Sequence, residues 1–218
     1  MPQLFPRSAN PMARISIGAG ALLAVGVISL LMAIVRSPYQ TDVGTELNQP
    51  VPFSHDHHTE VLGISCAYCH TSVEIASSAG IPPTQTCMNC HNIIWADTPM
   101  LEPVRESWRN DEPIRWNRVH DLPDYVYFNH SAHVTKGIGC NECHGQVNEM
   151  PLIYQAESLQ MSWCLDCHRN PEQFVRPKDE VYNMNWQPPA GVDRAEFGRA
   201  LVAEYEINSQ QTCSTCHR

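Results

Sequence analysis

No cysteine in this chain is spare. All ten occur as Cys-x-x-Cys pairs followed directly by histidine, which leaves none for a disulfide framework or a catalytic thiol. Charge is also scarce, with 17% charged residues, and 17 prolines interrupt the sequence. That composition argues against regular sheets and long amphipathic helices. Residues 15–35 carry no charge at all, and no acidic residue precedes them. The net charge of −9 places nucleic acid outside the expected partners and would suit a basic redox partner.

The repeated motif reads Cys66-x-x-Cys69-His70, Cys87-x-x-Cys90-His91, Cys140-x-x-Cys143-His144, Cys164-x-x-Cys167-His168 and Cys213-x-x-Cys216-His217. Cys-x-x-Cys-His is the attachment signature of a c-type haem. The two cysteines bind the porphyrin through thioether bonds, and the histidine reaches the iron from the proximal side. A zinc site would match its cysteine pairs with second pairs or with spaced histidines, and five equivalent units do not divide into pairs. The expected cofactor is therefore five covalently bound haems c.

The eleven histidines, less the five in the motifs, leave His55, His57, His58, His120, His130 and His133. Five irons need five sixth ligands. His55 and His58 form an i, i+3 pair after Phe53, as His130 and His133 do after Phe128. On a helical turn such a pair leaves the backbone on nearly one face. A single ring cannot use both members, so each pair reads as a joint between two haems. His57 lies between the two registers and is expected to be solvated. His120 is the candidate for the fifth iron, with Met150, Met161 and Met184 as competitors; Met161 is expected to pack on a ring edge. The choice matters because His/Met ligation raises a haem potential.

The segment Phe53-x-His55-x-x-His58 and its two motifs recur about 75 residues later, offset by 75 at the first histidine and 74 at the first cysteine. The expected architecture is thus a repeat of two-haem units near residues 52–91 and 127–168, with a fifth haem at 213–217. After the first 35 residues, 183 remain, about 37 per haem. That is too few for a conventional core around each. The fold class expected is mostly helical and irregular, a haem-cored domain of short helices and loops behind one N-terminal transmembrane helix.

Residues 15–35 are long enough to cross a bilayer once. Arg7 and Arg14 precede them, which favours a cytoplasmic N-terminus over residues 1–14. The apolar run exceeds a signal-peptide core and no small-x-small cleavage site follows, so an uncleaved anchor is expected. Residues 36–51 read as a polar linker, and residues 52–218 as an extracytoplasmic haem domain of a bacterial inner-membrane protein.

Three further elements are predicted. Residues 98–109 form an amphipathic helix packing through Leu101, Val104 and Trp108. Residues 176–189 are extended and could drape over a neighbour. A last helix starts after Asp193, with Glu196 completing a capping box and Phe197, Leu201 and Tyr205 on one face. The tryptophans at 95, 108, 116, 163 and 186 are expected against porphyrin faces or subunit contacts.

The Phe-x-His-x-x-His…Cys-x-x-Cys-His units resemble the class III cytochromes c. That resemblance implies that His55 binds the haem of Cys66 and Cys69, that His130 binds the haem of Cys140 and Cys143, and that His58 and His133 cross to other rings. The whole chain, through its single N-terminal helix, its five motifs and the stretches RVHDLPDYVYFNHSAHV and MSWCLDCHRNP, resembles the membrane-anchored pentahaem subunit of bacterial alternative complex III. This implies electron transfer from a menaquinol-oxidising complex, with membrane and iron–sulfur subunits as partners and a monohaem or soluble cytochrome c as acceptor. The alternatives are a stand-alone anchored quinol dehydrogenase and a multihaem reductase. A reductase needs one iron with an open position. Nothing resembles a Cys-x-x-Cys-Lys variant, and six spare histidines suffice to close every site.

Overall fold

The computed structural model describes residues 5–217; the first four residues of the expected cytoplasmic segment and the last residue of the expected haem domain lie outside the described residues. The chain divides into two compact units, Met1–Val43 and Gly44–Arg218.

The first unit is built on helix α1, Ala9–Arg36, whose 28 residues include none that is buried. At 1.5 Å per residue it is about 42 Å long, enough to cross a hydrocarbon core of about 30 Å. Among the described residues it is the one helix long and apolar enough to do so. It stops at Ser37, which is extended, because the residue before a proline is pushed out of the helical region. A single turn, α2 (Pro38–Thr41), follows and ends at Asp42 in a left-handed conformation.

The second unit has no strand among the described residues, only the isolated bridges Glu46↔Tyr154, Val126↔His217 and Ile138↔Val175. Its helices are short: α3 (Cys66–Cys69), α4 (Thr84–His91), α5 (Glu102–Asn110), α6 (His130–Val134), α7 (Asn141–His144), α8 (Met161–Arg169), α9 (Arg194–Glu204) and α10 (Cys213–Cys216). A π-turn occupies Asp56–Val61. The mostly helical and irregular fold class expected from composition is the one observed.

The segment read as a linker is partly folded. The Gly44 amide donates to the Gln155 carbonyl, the Gln49 side chain bonds both main-chain groups of Asn117, and Val51 is buried. Val51 packs with Leu101 and Val104 against Cys87, Met88, Ile114 and Trp116. Helix α5 therefore buries Val104, within this cluster, and Ser107, while Trp108 is half exposed. Ser107 replaces Trp108 on the packed face because its hydroxyl bonds both Thr84 Oγ1 and the Glu112 carbonyl, so its burial leaves no polar atom unpaired.

A second cluster contains Val175, Arg176, Val181 and Trp186, all at most 7% exposed. Residues 176–189 thus turn inward at Arg176, Val181 and Trp186. Arg176 is fully buried and bonds Asn141, Glu142 and the Asn183 carbonyl. Arg194 shares Glu142, and both guanidinium groups lie over the Trp186 ring. Gly139 makes room for this: a Cβ there would collide with the Arg176 guanidinium group. Helix α9 starts as predicted, with the Asp193 carboxylate accepting the Glu196 amide. Its buried face is Gly198 and Leu201, with Gly198 pressed against the Glu172 carbonyl.

Candidate haem sites

The local geometry begins with Phe53 and Phe128. Phe53 meets the edge of His55 at 4.8 Å and 85° and stacks on His58 at 4.4 Å and 26°. Phe128 does the same to His130 (4.8 Å, 88°) and His133 (4.6 Å, 26°). Each phenyl ring thus fixes two imidazoles in different planes, which separates the i, i+3 pair onto two targets.

Those targets are motif histidines. The His58 ring centre lies 6.2 Å from that of His91, His133 lies 6.1 Å from His168, and His130 lies 6.3 Å from His144. With metal–imidazole bonds of about 2 Å and about 1 Å more from nitrogen to ring centre, two trans imidazoles have centres about 6 Å apart. An iron held between each pair would need about these spacings. His55 has His70 as its strongest charged neighbour, and burial first, then His70, lowers its pKa to about 4.

The ring nitrogens are sorted as well. Nδ1 of His70 faces the Gly80 carbonyl at 2.7 Å, that of His91 the Ile94 carbonyl at 3.0 Å, and that of His168 the Gln210 carbonyl at 2.9 Å. His58, His130 and His133 face the carbonyls of Ser54, Ser77 and Asn129 at 2.7–2.8 Å. His217 faces the Tyr125 carbonyl at 3.4 Å. A carbonyl can only accept, so it holds the proton on Nδ1 and leaves the Nε2 lone pair for a metal. Gly80 delivers its carbonyl from a left-handed turn with φ +78°, a conformation that glycine adopts without strain. Motif spacing gives no hint of these acceptors.

The remaining two histidines, His57 and His120, have other ring partners. His57 is exposed and stacks on Trp95 at 6.2 Å. His120 stands beside His144, with ring centres 4.3 Å apart at 80° and Nε2 3.2 Å from His144 Nδ1. Burial lowers the pKa of His120 and His133, and burial with His120 as the next cause brings His144 to about 3. Neutral imidazole, the ligating form, is thereby favoured. Of the methionines, Met150 is buried with its methyl near Gly145, the Met184 carbonyl accepts from Asn141 and Gln146, and Met161 is 64% exposed.

None of the ten cysteines is disulfide-bonded. Burial pushes Cys140 up to about 11 and Cys143 up to about 12. Such apolar surroundings suit a neutral thioether sulfur better than a thiolate.

Neighbouring motifs are tied in series. Asn89 in the second motif donates to the Tyr68 hydroxyl in the first. Ser77, which follows the first motif, accepts the amide of His130. Helix α6 carries His130 toward the third motif and His133 toward the fourth. Gln210 joins the fourth motif to the approach of the fifth, and the Tyr127 amide bonds the Cys216 carbonyl. The second and fifth motifs are the two ends of the series.

Two families of known proteins match parts of the chain. Residues 32–99, holding the first two motifs, match the class III cytochrome c family. Residues 126–218, holding the other three, match cytochrome c7 and related cytochromes c. Over 150 residues the chain is 29% identical to the menaquinone reductase multiheme cytochrome c subunit of Nitratidesulfovibrio vulgaris (strain Hildenborough), covering 58% of this chain and 70% of that protein. The chain is similar to multihaem cytochromes on both sides of residues 100–125, and this similarity supports electron transfer by covalently bound haem c.

Proposed function

We propose that this chain binds five haems c and relays electrons between a menaquinol-oxidising membrane complex of the alternative complex III type and a cytochrome c or other acceptor outside the cytoplasm. The observation that carries the reading is the duplicated ring geometry, in which three histidine pairs have the separation that one iron requires. Bound haem c supplies reversible one-electron chemistry. The protein's part is to hold it. In this reading each cysteine pair, Cys66/Cys69, Cys87/Cys90, Cys140/Cys143, Cys164/Cys167 and Cys213/Cys216, fixes one porphyrin. The histidine pairs that would hold the irons are His70 with His55, His91 with His58, His144 with His130, and His168 with His133; His217 would hold the fifth.

Helix α1 serves as a single-pass anchor in the inner membrane, with Arg7 and Arg14 on the cytoplasmic side and the haem unit on the periplasmic side. Membrane and iron–sulfur subunits are the proposed partners, with membrane lipid around α1 and a monohaem or soluble cytochrome as acceptor. The name of the similar Nitratidesulfovibrio subunit, part of a menaquinone reductase, favours a second reading with electron flow reversed, from a reduced cytochrome toward menaquinone.

Mild detergent extraction of the tagged full chain tests both. The expected preparation has about five haems per chain and copurifying membrane subunits, and a menaquinol analogue reduces the haems. Reduction only by a reduced cytochrome, with the quinone then reduced, selects the reversed direction. A lone chain that oxidises the quinol analogue by itself replaces both with a stand-alone dehydrogenase.

A further inference from the structure

The eleven histidines are not divided evenly among the motifs, and the uneven one is at the end of the series. Four motif histidines have a counterpart from the two Phe-x-His-x-x-His segments. The fifth, His217, has none among the described residues. Its ring lies 5.8 Å from Tyr125 at 36°, its Nδ1 faces the Tyr125 carbonyl, and its backbone bridges Val126. His57 is exposed beside Trp95. Met150 and Met184 are tied near the third motif.

His120 is placed in a way that is incompatible with ligation of the fifth iron. A histidine that binds iron through Nε2 carries its remaining proton on Nδ1. His144 Nδ1 has no carbonyl in front of it; it has His120 Nε2 at 3.2 Å. That hydrogen bond requires His120 to be the acceptor, which commits the lone pair an iron would need. His144 is the one motif histidine whose Nδ1 partner is a side chain.

We infer that His120 is a positioning residue of the third haem, accepting the Nδ1 proton of His144, and that no described residue of this chain supplies a sixth ligand to the fifth haem. This rests on the proposed binding of five haems. An iron so placed takes the ligands of any open haem: carbon monoxide when ferrous, cyanide when ferric. An imidazole acceptor behind a ligating histidine raises the ligand's basicity and lowers the potential of its iron.

The test uses the full-length, haem-loaded protein in detergent. A pyridine haemochrome assay comes first, and fewer than five haems per chain defeats the reading on which the inference rests. With five present, the dithionite-reduced protein is titrated with carbon monoxide, alongside H120A, H120Q and M161L. The expected result is about one carbon monoxide per chain in every variant. H120A keeps the wild-type number of low-spin irons and raises one midpoint potential, and H120Q, whose amide oxygen can accept the same proton, moves it back. Absence of carbon monoxide binding in the wild type overturns the open site. Its appearance only in H120A or only in M161L would identify His120 or Met161 as the sixth ligand.

Discussion

The unit from Phe53 to His91 and the unit from Phe128 to His168 arrange their rings almost identically on different backbones. The Phe–His and His–His separations agree to within 0.2 Å between the two units. Yet the first unit has one residue more between its histidine pair and its first cysteine. The extra residue is absorbed in the π-turn at Asp56–Val61, where the second unit has an α-helical turn. The Ile64 amide reaches back six residues to the His58 carbonyl, while the Ile138 amide reaches back five to His133. A π-turn is the usual way to insert one residue into a helix without shifting what flanks it. The ring positions are what has been kept constant, and the backbone has adjusted around them.

The units also differ in how their motifs are held. Tyr68, inside the first motif, bonds Asn89 of the second. Its counterpart Glu142, inside the third, is part-buried and paired with both Arg176 and Arg194. One unit ties motif to motif; the other ties a motif to the C-terminal helices.

The comparison can be broken most severely at the histidines. H58A and H133A should each convert one low-spin iron to high-spin and leave the others unchanged, as measured by EPR spin quantitation. If only one of the two does so, the units are not functional equivalents. Next in size is R176A, which takes a fully buried guanidinium away from Asn141, Asn183 and Glu142 in the second unit alone and leaves the Glu142 carboxylate with Arg194. It should cost about 2–3 kcal/mol in denaturant unfolding, as the loss of a buried hydrogen-bonded side chain, whereas Y68F, at the counterpart of Glu142 in the first unit, should cost at most about 1.5 kcal/mol. Equal losses would mean that the two clamps carry equal weight.

A smaller effect is expected from deleting Val61, which is 69% exposed, giving the first unit the spacing of the second. Five haems should remain and stability should fall by no more than about 1–2 kcal/mol. Loss of the haem at Cys66 and Cys69 would show that the π-turn does more than take up the extra residue. Smallest of all, M161L should leave the spectrum unchanged and stability within about 0.5 kcal/mol.

Much of this was legible in the sequence. The five motifs, the duplicated Phe-x-His-x-x-His segment, the apolar helix and the Asp193 cap depend on residues close together in the chain, where spacing reports geometry. Helix α5 was legible in place but not in facing, because Ser107 is buried through hydrogen bonds to Thr84 and the Glu112 carbonyl rather than by apolarity. The inward course of residues 176–189 depends on Arg176 reaching Glu142, 34 positions away; the glycine at 139 was the only trace of it. The partner of His120 was hidden for the same reason, since a count of histidines says how many irons could be closed but not which ring stands behind which.

Low-temperature EPR of the oxidised full-length protein, with the low-spin signals integrated against the haem content, tests the central claim most directly. The paired units predict at least four low-spin irons with two axial imidazoles each, two from each unit. A count below four would contradict the account, because at least one of the histidine pairs would then not be holding an iron.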